Sequence, residues 1–264
     1  KTLILAANNG VSSTGWVGVL QNLLQNRNSA LEELDLYNNT VDEHGVAIIV
    51  DNLPHHNSFK NLCLGKNMSI SKRGLLLLPD LLQNPNCSLL TLDVNENNID
   101  DEVAASLARA LGGNSTLETL YIDANEDITS TGWDAFYNVL WDKSSIANTF
   151  RSNHTLECLV DLRYDWENMD LLSSDLNSVL EMNQNEHKFE VARLKILHHH
   201  FLGGASVNIQ EFVSMEWAVL PRAISWIGMD DSGHPLLYEL VRGLPSLFEF
   251  GGEAKAVGAK RKRV

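Results

Sequence analysis

The chain has 264 residues and a formal net charge of -14, from 20 basic and 34 acidic residues. This length is sufficient for one large domain or two smaller ones with a buried core. Such acidity argues against nucleic acid or an anionic membrane as a partner and favours a partner with a basic surface. The 3 cysteines lack metal-ligand spacing, which argues against a disulfide framework and favours a reducing compartment.

A nine-residue unit recurs along the first three fifths of the chain. In Leu117–Asn125 it reads LETLYIDAN, or apolar-x-x-apolar-x-apolar-x-x-Asn, which predicts a short strand that ends at the asparagine. A repeat of this kind buries its apolar face only by stacking on its neighbours. Because the chain begins inside a repeat, further residues are expected before Lys1. The other copies are Leu3–Asn8 (the tail alone), Leu31–Asn39, Phe59–Asn67 and Leu89–Asn97.

A capped amphipathic helix is predicted after each strand. The motif asparagines stand 31, 28, 30 and 28 residues apart, and a residue suited to a helix N-cap follows each of them. A stripe at i, i+4 and i+8 comes next, beginning with Gly15, Val19 and Leu23, and predicts the helix face turned to the core. Pro79 is expected to kink or shorten the third helix. The predicted caps are Ser12, Asp42, Ser71, Asp100 and Thr129.

The motif asparagines are expected to be structural. A side-chain amide can bond backbone groups where the chain leaves the strand, which is a buried role. Asn67 also begins an Asn-x-Ser sequon, and the buried role argues against its glycosylation.

The repeated pattern resembles the ribonuclease-inhibitor type of leucine-rich repeat. The resemblance rests on LxxLxLxxN, a Gly-led amphipathic helix and a period near 28–30, and it covers residues 1–162 as five clear units and one degenerate unit. It implies an α/β fold, a leucine-rich repeat solenoid with parallel strands along the concave side of a right-handed, horseshoe-shaped superhelix. Ran GTPase-activating proteins and the sensing halves of nucleotide-binding immune receptors use the same repeat type, so the resemblance implies a fold and leaves the function open.

The sixth unit departs from the pattern. Asp142–Asn153 is interpreted as an insertion, after which Leu156 and Leu159 fit the motif again. Asp161 then falls on a core column and Tyr164 on the asparagine column. The repeats are therefore expected to end here.

A helical C-terminal cap is predicted over residues 163–250. Apolar residues at helical spacing recur in Leu171–Leu180, Phe189–Phe201, Ile209–Val219 and Pro235–Val241, with Pro221 among the residues that separate them. Aromatic residues of this region are expected in the core of the cap, and two of them are alternatively a docking site for a partner. The four are Trp217, Trp226, Phe248 and Phe250, of which the last two are the docking candidates.

A flexible basic tail is predicted over residues 251–264. Its run Lys260, Arg261, Lys262 and Arg263 has the composition of a nuclear-localisation signal. A solvated charge run, or an electrostatic latch onto an acidic surface of this chain or of another copy, explains it equally well. The expected location is intracellular, either cytoplasmic or nuclear.

The sequence offers no catalytic constellation, so a non-catalytic protein without cofactor or metal is predicted. His198, His199 and His200 are adjacent, and on a helix they point in different directions, which favours a helix C-terminus over a metal site. Cys63 and Cys158 stand without an activating neighbour in the sequence.

The variable strand positions carry the functional prediction. Side chains between the motif leucines point away from the core, and acids recur there beside tyrosines. This pattern predicts a concave surface that binds a basic partner protein, although an acidic protein places acids on any solvated face. A GTPase-activating regulator and the sensor half of a larger receptor are the alternatives. The predicted contact residues are Glu33, Asp35, Tyr37, Lys66, Asp93, Glu96, Thr119, Tyr121 and Asp123.

Overall fold

Five short strands form one parallel sheet in the order β1-β2-β3-β4-β5. The structure is a computed structural model, and it describes residues 1–27, 29–161, 172–201, 212, 220–228 and 242. The register aligns Leu34 with Leu62 and Leu92 with Leu120, so the central leucines form one buried row. The sheet and its helices confirm the α/β class. The strands are β1 Thr2–Ile4, β2 Glu33–Asp35, β3 Asn61–Cys63, β4 Thr91–Asp93 and β5 Thr119–Tyr121.

At least one helix follows each strand, and buried residues of the strands and of α1, α2, α3, α4, α5, α6 and α8 form a continuous core. Short turns of other types occur at Leu53–His55 (3-10) and Leu197–Phe201 (π). The helices are α1 Ser13–Leu24, α2 Glu43–Asn52, α3 Lys72–Leu75, α4 Leu78–Gln83, α5 Asp101–Leu111, α6 Ser130–Leu140, α7 Ile146–Arg151, α8 Ser174–Asn183, α9 Lys188–Ile196 and α10 Leu220–Gly228.

The sequence signals for helix ends are confirmed. Each predicted cap side chain accepts a hydrogen bond from a backbone N–H of the first turn, as Ser12 does from Gly15 and Asp100 from Val103. Pro79 lies in the first turn of α4, and the third helix is split there into α3 and α4 because proline lacks the N–H that a continuous helix would need.

The predicted core stripe is correct for the later helices and wrong for α1. Val19 is 40% exposed, and the buried residues of α1 are instead Trp16, Leu20 and Leu24. Leu20 points towards the neighbouring helix α2, where its Cδ1 lies 3.3 Å from the position of a Cβ on Gly45. The buried face of α1 is therefore turned by one residue towards its packing neighbour, which the periodicity of a single helix does not specify.

The motif asparagines connect successive units, as predicted. Asn67 is fully buried; its Nδ2 donates to Leu36 O and Leu64 O, both at 2.9 Å, and its Oδ1 accepts from Val41 N at 3.0 Å. The next copy, Asn97, accepts from Asn67 N at 2.7 Å through its own Oδ1. Each amide thus bonds backbone groups in the preceding unit and in its own, where the ladder of strand hydrogen bonds ends.

A second pair of asparagines lies where two of the return loops, before Leu117 and before Leu156, enter the next unit. Asn114 donates to Leu82 O at 2.8 Å, and Asn153 donates to Leu111 O at 2.8 Å. Both side-chain oxygens accept the N–H groups two and three residues later. The interpretation of Asn153 as the end of an insertion is therefore wrong, since it occupies a regular repeat position three residues before a motif leucine. The inserted residues include α7.

In the described part of the sixth unit, up to residue 161, one isolated parallel bridge pairs the chain with β5. Thr119 bridges Cys158, and Leu120 N donates to Cys158 O at 3.0 Å. Leu156 and Leu159 are buried, as their motif positions predict, and Asp161 is buried on its core column. Tyr164 lies outside the described residues.

The chain divides into two compact units, residues 1–142 with 152–191, and residues 143–151 with 192–264. In the second unit, Thr149 Oγ1 lies 2.9 Å from His200 Nε2 and the Arg222 guanidinium lies over the Phe150 ring at 6.0 Å. Pro221 lies in the first turn of α10, a position that tolerates the missing N–H and marks the start of a helix.

Much of the predicted cap and the whole basic tail lie outside the described residues. α8 and α9 fall close to two of the segments for which helical spacing was noted. In the described part of the chain, no helix has both the length and the apolarity that a membrane crossing requires. The predictions that lie outside the described residues concern the segment Pro235–Val241, Ile209–Val219 apart from Phe212, the side chains of Trp217, Trp226, Phe248 and Phe250, and the tail with Lys260, Arg261, Lys262 and Arg263.

Candidate partner-binding face of the sheet

The strand residues on either side of each buried leucine form the open face, the surface of the sheet opposite the core. Each of β2 to β5 has the pattern partly exposed, buried, partly exposed. The parallel register builds two rows of side chains across this face. The rows are Glu33, Asn61, Thr91 and Thr119, and Asp35, Cys63, Asp93 and Tyr121.

Tyr37, Lys66 and Glu96 meet where the strands end. Tyr37 Oη donates to Glu96 Oε1 at 2.8 Å, and Lys66 Nζ pairs with Glu96 Oε2 at 3.3 Å. Burial and the adjacent Glu96 carboxylate raise the pKa of Tyr37 to about 12. Lys66 and Glu96 have φ angles of 55° and 51°, so both side chains leave the strands from left-handed backbone positions. Three residues that the sequence placed on one surface are thus joined directly.

Gly65 permits this arrangement. A Cβ on Gly65 would lie 2.1 Å from Asn95 Oδ1 and 3.0 Å from Tyr37 Cδ2, so the space that a side chain would take is already occupied. Tyr37 crosses this position to reach Glu96 in a unit two further along, 59 residues away. A glycine at a variable position of the motif, Gly65, is the one feature of the sequence that indicates this contact between Tyr37 and Glu96, and the prediction from the sequence did not use it.

We expect Gly65→Ala to destabilise the fold by about 1–3 kcal/mol, since Asn95 and Tyr37 must both move. Tyr37 should then lose its hydrogen bond to Glu96, and its pKa should fall from about 12 towards the ordinary value of 10. Ultraviolet titration of tyrosine, with Tyr37→Phe to assign the signal, measures this change. The matched control is Gly18→Ala, which meets nothing within 4 Å inside α1 and should stabilise the protein slightly. Equal effects of the two substitutions would contradict the role given to Gly65.

Asp93 is a carboxylate of the open face with a raised pKa. Burial raises its pKa to about 6, with the nearby Asp123 and Asp161 carboxylates acting in the same direction, while hydrogen bonds from Asn95 N and Cys63 oppose the rise. Cys63 Sγ donates to Asp93 Oδ2 at 3.2 Å. Burial and the same carboxylate raise the pKa of the Cys63 thiol, which therefore stays protonated at neutral pH.

Asp123 is buried, so the prediction that it is an exposed contact residue of the open face is wrong. It is 4% exposed, and its Oδ1 accepts a hydrogen bond from Asp161 N at 3.1 Å. The chain of the sixth unit runs beside β5 and covers this position, because Leu120 and Ile122 donate to Cys158 and Leu159. Asp123 supports that segment of backbone rather than presenting a charge to solvent.

The remaining predicted contact residues are partly exposed. Asp35 also has a structural role, since its Oδ1 accepts from Tyr37 N at 2.9 Å, and Glu33 accepts from Thr2 Oγ1 at 2.8 Å. Together, the partly exposed residues form a mainly acidic surface over the strands and the loops that follow them. They are Glu33, Asp35, Tyr37, Lys66, Asp93, Glu96, Thr119 and Tyr121.

No protein-family model matches the chain. Among curated proteins, the human NACHT, LRR and PYD domains-containing protein 5 is 34% identical over 125 residues, which is 47% of this chain and 10% of that protein. This chain is thus similar to part of a leucine-rich repeat protein. It spans about a tenth of the length of that relative.

Proposed function

We propose that this chain is a non-catalytic protein-interaction module that binds a basic segment of a partner protein through the open face. In this proposal the strand and helix units form a ribonuclease-inhibitor-like leucine-rich repeat solenoid, and the open face is its concave side. The supporting observation is the row Asp35, Cys63, Asp93 and Tyr121, in which the parallel register places two carboxylates and a tyrosine on one face, with Tyr37 and Glu96 joined just beyond the strand ends. Carboxylates steer a basic partner, and tyrosine supplies contact area with little loss of conformational freedom.

The test compares partner capture by variants that alter the open face and by variants with the same charge change elsewhere. Glu33→Lys with Asp35→Asn changes the charge of the face by +3, and asparagine at position 35 retains the acceptor for Tyr37 N. Asp134→Lys with Glu181→Gln makes the same charge change on exposed positions of α6 and α8. Asp93 and Asp123 are left unchanged because both are largely enclosed.

We expect the face variant to lose its partners in quantitative affinity purification while the helix variant keeps them. The loss should be about tenfold or more, since reversing charge within a complementary surface slows association and weakens the complex. Matched circular dichroism spectra and melting curves check that both variants are folded. Equal recovery of partners by the face variant and the wild type would refute the proposal.

A second candidate is the partner-sensing part of a larger multidomain protein. The observation that favours it is the similarity to a protein whose name records NACHT and PYD domains besides the repeats. Sequencing the complete transcript tests it. Additional domains encoded in frame with this chain support this candidate, and a transcript that encodes the repeats without them argues against it.

A further inference from the structure

A groove of about 380 Å³ lies beside the open face, where the loops leave the carboxyl ends of the strands. Glu96 belongs to both surfaces, because it lines the groove and also binds Tyr37 and Lys66 on the open face. The groove is therefore continuous with the proposed binding surface. Its lining residues are Met68, Glu96, Asn98, Ala124, Glu126 and Asp127.

The groove combines an exposed apolar side chain, Met68, with the exposed carboxylates of Glu126 and Asp127. Met68 is 64% exposed, which is unusual for a methionine that could pack in a core. Glu126 and Asp127 are exposed, and within the described ranges neither forms an ion pair or a side-chain hydrogen bond. Lysine and arginine have aliphatic stems that pack on apolar surface and charged heads that bind carboxylates.

The backbone of the groove is held in place before any ligand binds. Glu96, Asn98 and Ala124 have φ angles of 51°, 56° and 52°, which fixes the directions in which their side chains leave the loops. The two asparagine-ladder residues next to them, Asn97 and Asn125, are buried, and Asn97 N donates to Asn125 Oδ1 at 2.8 Å. A preformed groove costs little ordering on binding, and this favours a specific contact over a diffuse electrostatic one.

We propose that this groove receives an arginine or lysine side chain of the partner segment that lies on the open face. The stem contacts Met68, and the charged head binds Glu126 and Asp127, with Glu96 beside it. Glu96 shares its charge with Lys66, so the two unpaired carboxylates carry most of the attraction. This inference rests on the proposed function and adds to it the position and the chemistry of an anchor residue.

Random twelve-residue peptides displayed on phage, selected on the complete chain, provide a defined probe. We expect the selected peptides to be enriched in arginine or lysine. Glu126→Lys with Asp127→Lys should weaken a selected peptide about tenfold or more in fluorescence anisotropy, because repulsion replaces attraction at the anchor. Met68→Ser should weaken it and Met68→Leu should restore it, since leucine keeps the apolar contact.

Asp134→Lys with Glu181→Lys is the matched control, with the same charge change on exposed helix positions, and should alter binding less than about twofold. Unchanged binding by the groove variant, with loss in the face variant, would refute the groove and leave the proposed function standing. Unchanged binding by both would refute both. Selection of no peptide, or of peptides without basic residues, would also contradict the inference.

Discussion

Asn67→Ala is expected to lower the free energy of unfolding by about 3–6 kcal/mol. The substitution leaves Leu36 O, Leu64 O and Val41 N without the amide that now bonds them, in a site with no solvent access. Each buried polar group that loses its partner costs about 1–3 kcal/mol, and the removed side chain leaves a cavity. Such a loss is a large part of the stability of an ordinary domain, which is about 5–15 kcal/mol.

Asn8→Ala is the matched control for the asparagine ladder. Asn8 is the exposed first member, and its Nδ2 donates to Leu5 O and Ala6 O, which water can bind after the substitution. Its effect should stay within about 1 kcal/mol. Denaturant unfolding followed by circular dichroism and tryptophan fluorescence measures both variants. A small effect of Asn67→Ala, equal to that of Asn8→Ala, would contradict the structural role of the ladder.

Asp93→Asn is expected to stabilise the protein at pH 7.5 by about 1–3 kcal/mol. A carboxyl group whose pKa rises from 3.8 to about 6 on folding binds more protons in the folded state than in the unfolded state over that range. Its contribution to stability therefore falls as the pH rises from about 4 to about 6 and stays low above it. Asparagine removes the buried charge and the repulsion from Asp123 and Asp161, and it keeps an acceptor for Asn95 N.

The advantage of Asp93→Asn should be much smaller at pH 4.5, where Asp93 is protonated in the folded protein. Asp42→Asn is the comparison, because burial of Asp42 is outweighed by hydrogen bonds from Gly45 and His44 that lower its pKa. The stability that ionised Asp42 contributes is present above its unfolded pKa of 3.8 and is lost only below that pH. Denaturant unfolding at pH 7.5, 6 and 4.5 separates the two behaviours. A stabilisation by Asp93→Asn that is the same at pH 7.5 and 4.5 would contradict the buried-charge explanation.

The open face was partly predictable from the strand alternation. Glu33 and Asp35 lie where the alternation places them, since successive side chains of a strand point to opposite sides. The contact from Tyr37 to Glu96 was not predictable, because it spans 59 residues and requires the absence of a side chain at Gly65 in the intervening unit. The groove beside Met68 was missed for a related reason, since its lining residues come from three different loops.

The burial of Asp123 shows where strand alternation fails as a predictor. Its position in the motif equals that of Tyr37 and Asn95, which remain partly exposed. The difference arises from the neighbouring chain, since the residues around Asp161 lie against Asp123 and donate a hydrogen bond to it. Exposure of a variable strand position thus depends on what the adjacent unit contributes, and the motif does not encode that.

The sequence by itself determined the features that every unit repeats. The strand leucines, the helix caps from Ser12 to Thr129 and the asparagine ladder depend on interactions within a unit or with its immediate neighbour, so the same residue types recur at the same spacing. The tertiary structure decided the features that occur once. These are the turned face of α1, the burial of Asp123 and the cluster of Tyr37, Lys66 and Glu96, because each depends on side chains that meet only when particular units are packed together.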